Sequence, residues 1–182
     1  MVAGGQRVNE DESGRLDVEL PNVGRGSDKV QSANLAADGG YVLVVLLGSH
    51  YCPQSRELVR TLTETDDAFR RRGTTVVPVL PDIRERARLW DRQYELPFPM
   101  LADPAADGDE YDAFGAFEPL QRSVPELPAF ALCRAGDGAL QVVATETEAT
   151  LDVPVVESLL AFVERHRASG VIAAPGNPPV DS

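Results

Sequence analysis

The chain has 182 residues, 43% of them apolar, and a net charge of −12 in which Lys29 is the only lysine among 17 basic residues. That length and apolar fraction predict one globular domain with a sizeable core. A surface so rich in Asp and Glu excludes nucleic acid as a partner, because it would repel the phosphates, and no stretch reaches the roughly 18 apolar residues of a membrane span.

The opening MVAGGQRVNEDESGR has neither the apolar run nor the basic flank of a signal peptide, which predicts a cytoplasmic protein. Two cysteines in that compartment read as reduced or catalytic rather than as a structural disulfide. The acidic, lysine-poor surface is similar to that of proteins from organisms with high internal salt. There the Debye length shrinks to about 3 Å at 1 M and self-repulsion is blunted. An ordinary acidic protein from a high-GC genome is the alternative.

Taken in order, residues 1–15 are polar, Gly-containing and acidic and are expected to be disordered. Leu16 to Leu20 alternates apolar and acidic residues, as an edge strand would, before a turn over Pro21 to Gly26. Tyr41 to Leu47 is a continuous apolar run preceded by Asp38, Gly39 and Gly40, which predicts a central strand buried on both faces. Its end points at Cys52. Pro53 suits the first turn of a helix, where its missing N–H would be unpaired anyway, so Cys52 is expected at the cap, facing free amides and the positive end of the dipole. A helix should then run to Gly73, with Leu58, Leu62, Thr65 and Phe69 on one face and the pairs Asp66/Arg70 and Asp67/Arg71 on the exposed side.

Thr74 to Leu80 reads as a second buried strand, parallel to the first. Asp82 with Glu85 resembles a capping box, and Ile83, Ala87, Trp90 and Tyr94 continue along one helical face. LPFPMLADP, Leu96 to Pro104, is too proline-rich for a central strand and reads as a short extended segment. It leads to a helical turn near Asp109 to Phe117 and a loop through Pro119 and Pro125. Ala129 to Cys133 and Leu140 to Thr147 are strands joined by a hairpin at Ala135 to Gly138, and a last helix opens at Asp152 and Pro154. The domain is thus expected over residues 16–168, with a loose tail over 169–182. Pattern alone supports an α/β class with a mixed sheet.

GSHYCPQSREL, YELPFPMLADP and LPAFALCRAGDGAL, in that order, resemble the alkyl hydroperoxide reductase and thiol-specific antioxidant family, a peroxiredoxin-like branch of the thioredoxin superfamily. The resemblance covers roughly Leu16 to Arg167 and implies a three-layer α/β/α thioredoxin-like fold. It matches Cys52 to the peroxidatic cysteine, whose thiolate attacks a peroxide oxygen and becomes a sulfenic acid. Ser49 matches the hydroxyl residue that bonds thiolate and peroxide, and Pro128 the cis-proline beside the site. Two family features are replaced: Val45 stands for a proline, and Leu127 for the arginine that polarises the peroxide. Arg56, one turn past Cys52, and Arg122 are the candidate substitutes.

Ser55 stands where the second thiol of a CxxC motif would be, so dithiol exchange between those positions is ruled out. If Pro128 lies beside Cys52, Cys133 is about 16 Å farther along a strand, beyond the roughly 7 Å that a disulfide spans. His50, two residues from Cys52, is either a tuning group or a loop histidine without a role. Cys133 reads as a buried strand hydrophobe, Trp90 as core and His166 as a solvated helix-end residue. No metal-ligand cluster, phosphate loop or cofactor motif stands out. The expectation is a one-cysteine, peroxiredoxin-like peroxide reductase or thiol oxidoreductase. It would act on a peroxide or disulfide, regenerated by a low-molecular-weight thiol or a thioredoxin-like reductant, with a homodimer as the candidate assembly. The alternative is a catalytically degenerate thioredoxin-fold protein that binds or regulates.

Overall fold

The structure, a computed structural model, describes residues 14–35, 40–49, 51–105, 113–136, 138–148 and 154–173. In chain order these form β1 (Arg15–Leu16), β2 (Glu19–Pro21), β3 (Lys29–Gln31), a 3-10 turn (Ser32–Asn34), β4 (Tyr41–Leu46), α1 (Pro53–Glu64), α2 (Asp66–Arg70) and β5 (Thr74–Leu80). There follow α3 (Arg84–Tyr94), β6 (Leu101–Ala102), α4 (Glu118–Arg122), β7 (Ala129–Gly136), β8 (Ala139–Thr147) and α5 (Val155–Ala173).

Every residue of β4 is buried because the strand lies inside a six-stranded mixed sheet ordered β1-β8-β7-β4-β5-β6. It runs parallel to β5 and antiparallel to β7, with Val45 opposite both Pro78 and Phe130. Alternate residues of one apolar strand therefore feed two cores. On one face Leu43, Val45 and Leu132 pack with Leu58, Val59 and Leu62 of α1, Phe69 of α2, Trp90 of α3 and Phe162 of α5. On the other, Val42, Val44 and Cys133 pack with Val18, Val30, Phe114, Phe117 and Leu120 of α4. Strands β4, β5 and β6 step in one direction across the sheet, so crossovers of a single hand place α1 and α3 on the same face.

Pro78 sits in β5 without breaking it. Val79 O accepts from Leu47 N on the β4 side and Leu80 O accepts from Asp103 N on the β6 side. Position 78 thus faces β6, which pairs only with Val79 and Leu80, and no ladder bond is forfeited.

Several expectations are corrected. The segment 16–20 is not one strand: β1 edges the main sheet against β8, while β2 pairs with β3 in a separate hairpin. Arg15, expected in a disordered start, is already paired with Gln141; residues 1–13 lie outside the described residues. The long helix divides at Thr65, whose φ of −116° and ψ of 15° leave the helical region. Thr61, Thr63 and Thr65 each donate a side-chain hydrogen bond to the carbonyl four residues back, competing with the backbone for those carbonyls. Asp66, expected on the exposed side, is buried and pairs with Arg70 at 2.7 Å. The cap of α3 is Ile83, not Asp82; Asp82 is buried and accepts from Ile83 N and from Arg86. Pro119, expected in a loop, opens α4. The helical turn expected near 109–117 lies partly outside the described residues, and the helix that is present starts at Glu118. The last helix runs to Ala173, beyond the expected domain end at 168. Among the described residues no helix is long and apolar enough to cross a membrane.

Candidate functional site

The end of β4 turns sharply: Cys52 N donates to Ser49 O at 3.0 Å and Tyr51 N to Ser49 Oγ at 3.3 Å. That turn delivers Cys52 to the N-cap of α1, with Pro53 inside the first turn. The thiol is half-buried, and Ser55 N donates to its Sγ at 3.4 Å, so the sulfur takes up one of the amides that every helix start leaves unpaired. Ser55 itself is fully buried, and its Oγ accepts from Gly48 N at 2.7 Å. Gly48 makes room for the thiol: a Cβ there would lie 3.2 Å from both Cβ and Sγ of Cys52, tight enough that the neighbours would have to shift by a few tenths of an ångström.

Pro128 precedes β7 at the same end of the sheet. The Leu127–Pro128 bond is cis, as the resemblance implied. The pairing of Leu46 with Ala129 puts Pro128 opposite Leu47, next to the turn that carries the thiol. Pro128 O accepts from Glu148 N at 3.2 Å, tying this loop to the end of β8.

The structure thus links Ser49, Cys52 and Ser55 in one turn, with Pro128 one residue beyond the Leu46–Ala129 pair at the same end of the sheet. His50 lies outside the described residues. Arg56 is anchored on α3, with its guanidinium 5.2 Å from the Trp90 ring centroid and Nη1 donating to Gln93. Trp90 is core, as expected, and is also the seat of this arginine. Arg122 is engaged elsewhere: its Nε and Nη2 donate to both carboxylate oxygens of Glu118 on α4, whose Leu120 packs on the sheet face opposite α1. Leu127 packs partly buried on that same face.

Cys133 is fully buried and lies opposite Val42, four residues down the strand from the pairing of Leu46 with Ala129. Burial pushes its thiol up to about 12. Four residues of strand are about 13 Å, so the two sulfurs belong to opposite ends of the sheet. Among the described residues, no group of three or more His, Cys, Asp and Glu could hold a metal ion.

Sequence reasoning missed Gly48. Its signal was available: a glycine directly after an all-apolar strand marks a close approach of backbone to something, here the thiol.

The fold is shared with solved structures of low sequence identity. A reduced 2-Cys peroxiredoxin from Plasmodium vivax aligns with a TM-score of 0.63 at 14% identity, over 85% of this chain and 94% of that one. A yeast mitochondrial 1-Cys peroxiredoxin gives 0.61 at 12% identity, over 91% and 81%. The thioredoxin domain of a thiol-disulfide oxidoreductase from Bacteroides vulgatus gives 0.57 at 19% identity, over 82% and 91%. No curated protein sequence matches the chain. The model of the AhpC/TSA family matches residues 16–133, more than half of the chain. With the thioredoxin-like sheet and the capped thiol in place, the chain belongs to the AhpC/TSA family, the peroxiredoxin-like branch of the thioredoxin superfamily, whose chemistry is thiol redox.

Proposed function

We propose that the chain is a one-cysteine hydroperoxide reductase with Cys52 as its nucleophile. The observation that supports this most is the contrast between the two thiols. Cys52 caps a helix, half-exposed, with an amide on its sulfur, whereas Cys133 is sealed in the core. The Cys52 thiolate attacks the terminal oxygen of a hydroperoxide; an S–O bond forms and the O–O bond breaks. Sulfur is oxidised to the sulfenic acid, and the alkoxide leaves as an alcohol after taking up the proton that the thiol released. Ser49, in the same turn, has its Oγ in reach of a backbone amide and keeps its O–H to offer the peroxide.

With Cys133 out of reach, the sulfenic acid is resolved from outside. A low-molecular-weight thiol condenses with it, releasing water and leaving a mixed disulfide, which a second thiol or a thioredoxin-like reductant then reduces. Such a cycle fits the reducing cytosol. A second reading is kept by one observation. The position of the family arginine is the apolar Leu127, and Arg56 and Arg122 both have other partners, which fits a thioredoxin-fold binding or regulatory protein without turnover.

Intact mass after mild treatment with hydrogen peroxide or cumene hydroperoxide, with and without a sulfenic-acid trap, tests the first reading. The expected product is a trapped adduct on Cys52 and no loss of two hydrogens. A Cys52–Cys133 cross-link in the peptide map would overturn the one-cysteine cycle, and an unmodified Cys52 would favour the second reading.

A further inference from the structure

We propose that Ser55 is a hydrogen-bond donor to the reacting sulfur, holding Cys52 through its hydroxyl as well as its amide. This deepens the reading above and rests on Cys52 being the reacting thiol.

Ser55 is in the first turn of α1 and fully buried, so its hydroxyl has no water to turn to. Its Oγ lies 2.7 Å from Gly48 N, and since an amide N–H can only donate, the oxygen is the acceptor in that bond. The hydroxyl hydrogen is thereby left to be donated elsewhere, and a buried O–H without an acceptor costs about 1–3 kcal/mol.

The Cys52 sulfur lies beside the same stretch of backbone. Ser55 N already donates to Cys52 Sγ at 3.4 Å. The same point on Gly48, where a Cβ would stand, is 3.2 Å from Sγ and 3.4 Å from Ser55 Oγ. Sulfur and hydroxyl therefore flank one small patch of glycine backbone. A neutral thiol is a weak acceptor and a thiolate a strong one, so the bond strengthens as the sulfur becomes the nucleophile. A serine here also keeps a donor at the sulfur without providing a second thiol, which suits a cycle resolved from outside.

The test is the rate of Cys52 alkylation by iodoacetamide against pH, in a Cys133→Ser background, for Ser55, Ser55→Ala and Ser55→Thr. Ser55→Ala is expected to move the profile to higher pH and to slow alkylation at pH 7 about tenfold, the effect of one hydrogen bond to a charged group. Ser55→Thr, which keeps the hydroxyl, is expected to restore the profile. A profile unmoved by Ser55→Ala overturns the proposal, even where the thermal midpoint falls, because Ser55 would then serve only to hold Gly48. In the unsubstituted chain, the Ser55 amide and β-carbon resonances should both follow Cys52 across that pH range; an amide that moves while the β-carbon stays still overturns it as well. Alkylation needs no peroxide, so a Cys52 that fails to form a sulfenic acid would sink the redox reading and leave this question to be decided separately.

Discussion

Cys52 and Cys133 are the same side chain in opposite surroundings, and the difference between them is large enough to measure directly. Burial raises the Cys133 thiol to about 12, so little of it is thiolate at pH 8, and a packed core keeps reagent away from it. The folded Cys133→Ser variant should therefore be alkylated at least ~100-fold faster than folded Cys52→Ser, which should react only when denaturant opens the core. Rapid modification of folded Cys52→Ser would mean that the site has been assigned to the wrong sulfur. The same contrast explains why composition could count two cysteines but not rank them. Rank came from neighbours: Pro53 after one cysteine and an apolar strand around the other.

Among the elements, the segment after β6 shows how a buried polar group organises chain far from itself. The Asp103 carboxylate, buried, accepts from Ala116 N at 2.7 Å and Phe117 N at 2.8 Å, just ahead of α4. Gly115 is required beside it, since a Cβ there would come within 2.4 Å of Pro104 O. Asp103→Ala should cost about 2–4 kcal/mol, read from denaturant midpoints, because two amides lose a charged acceptor. Burial raises the Asp103 carboxyl above its ordinary 3.8, while the amides of Phe117, Ala116 and Gly115 pull the other way. With a raised folded value the native state binds the proton more readily than the unfolded chain. The contribution is therefore full below 3.8 and is lost as pH rises through the folded value. Relative to Asp103→Asn, the parent chain should gain stability from pH 6 down towards pH 4; parallel midpoints across that range would refute this. None of this anchor was legible in advance, and for the same reason Asn22 was not, which accepts from Met100 N at 3.0 Å across 78 positions. Such bonds leave no periodic trace. What periodicity and local chemistry did reveal was the two-faced burial of β4, the cap at Cys52, and the β7–β8 hairpin, where Gly138 has a φ of +78°. They failed where side chains compete with the backbone, as at Thr65, or where a proline starts a helix instead of interrupting a loop, as at Pro119.

Over the whole molecule the feature with a testable consequence for stability is the net charge of −12. Several arginines pair with carboxylates one turn away on exposed helix faces, as in Arg60 with Glu57 and Glu64 and Arg122 with Glu118. Exposed pairs of this kind contribute little, about 0.3–0.5 kcal/mol each, so salt has little to remove by weakening them. The surplus carboxylates are different, because their mutual repulsion opposes the compact state at low ionic strength. Screening shortens its reach from about 10 Å at 0.1 M to about 3 Å at 1 M. The midpoint of thermal unfolding should therefore climb from dilute buffer to molar salt, which is the behaviour expected of a chain adapted to high internal salt. Salts excluded from the surface would also raise the midpoint by strengthening apolar burial, so sodium chloride, potassium chloride and a denaturing-anion salt need to be compared at equal ionic strength. Screening alone predicts similar gains from all three, whereas a gain confined to the chlorides would assign the effect to burial. A midpoint that is flat or falls between dilute buffer and about 2 M potassium chloride would show that repulsion does not govern stability, and the reading of salt adaptation would go with it.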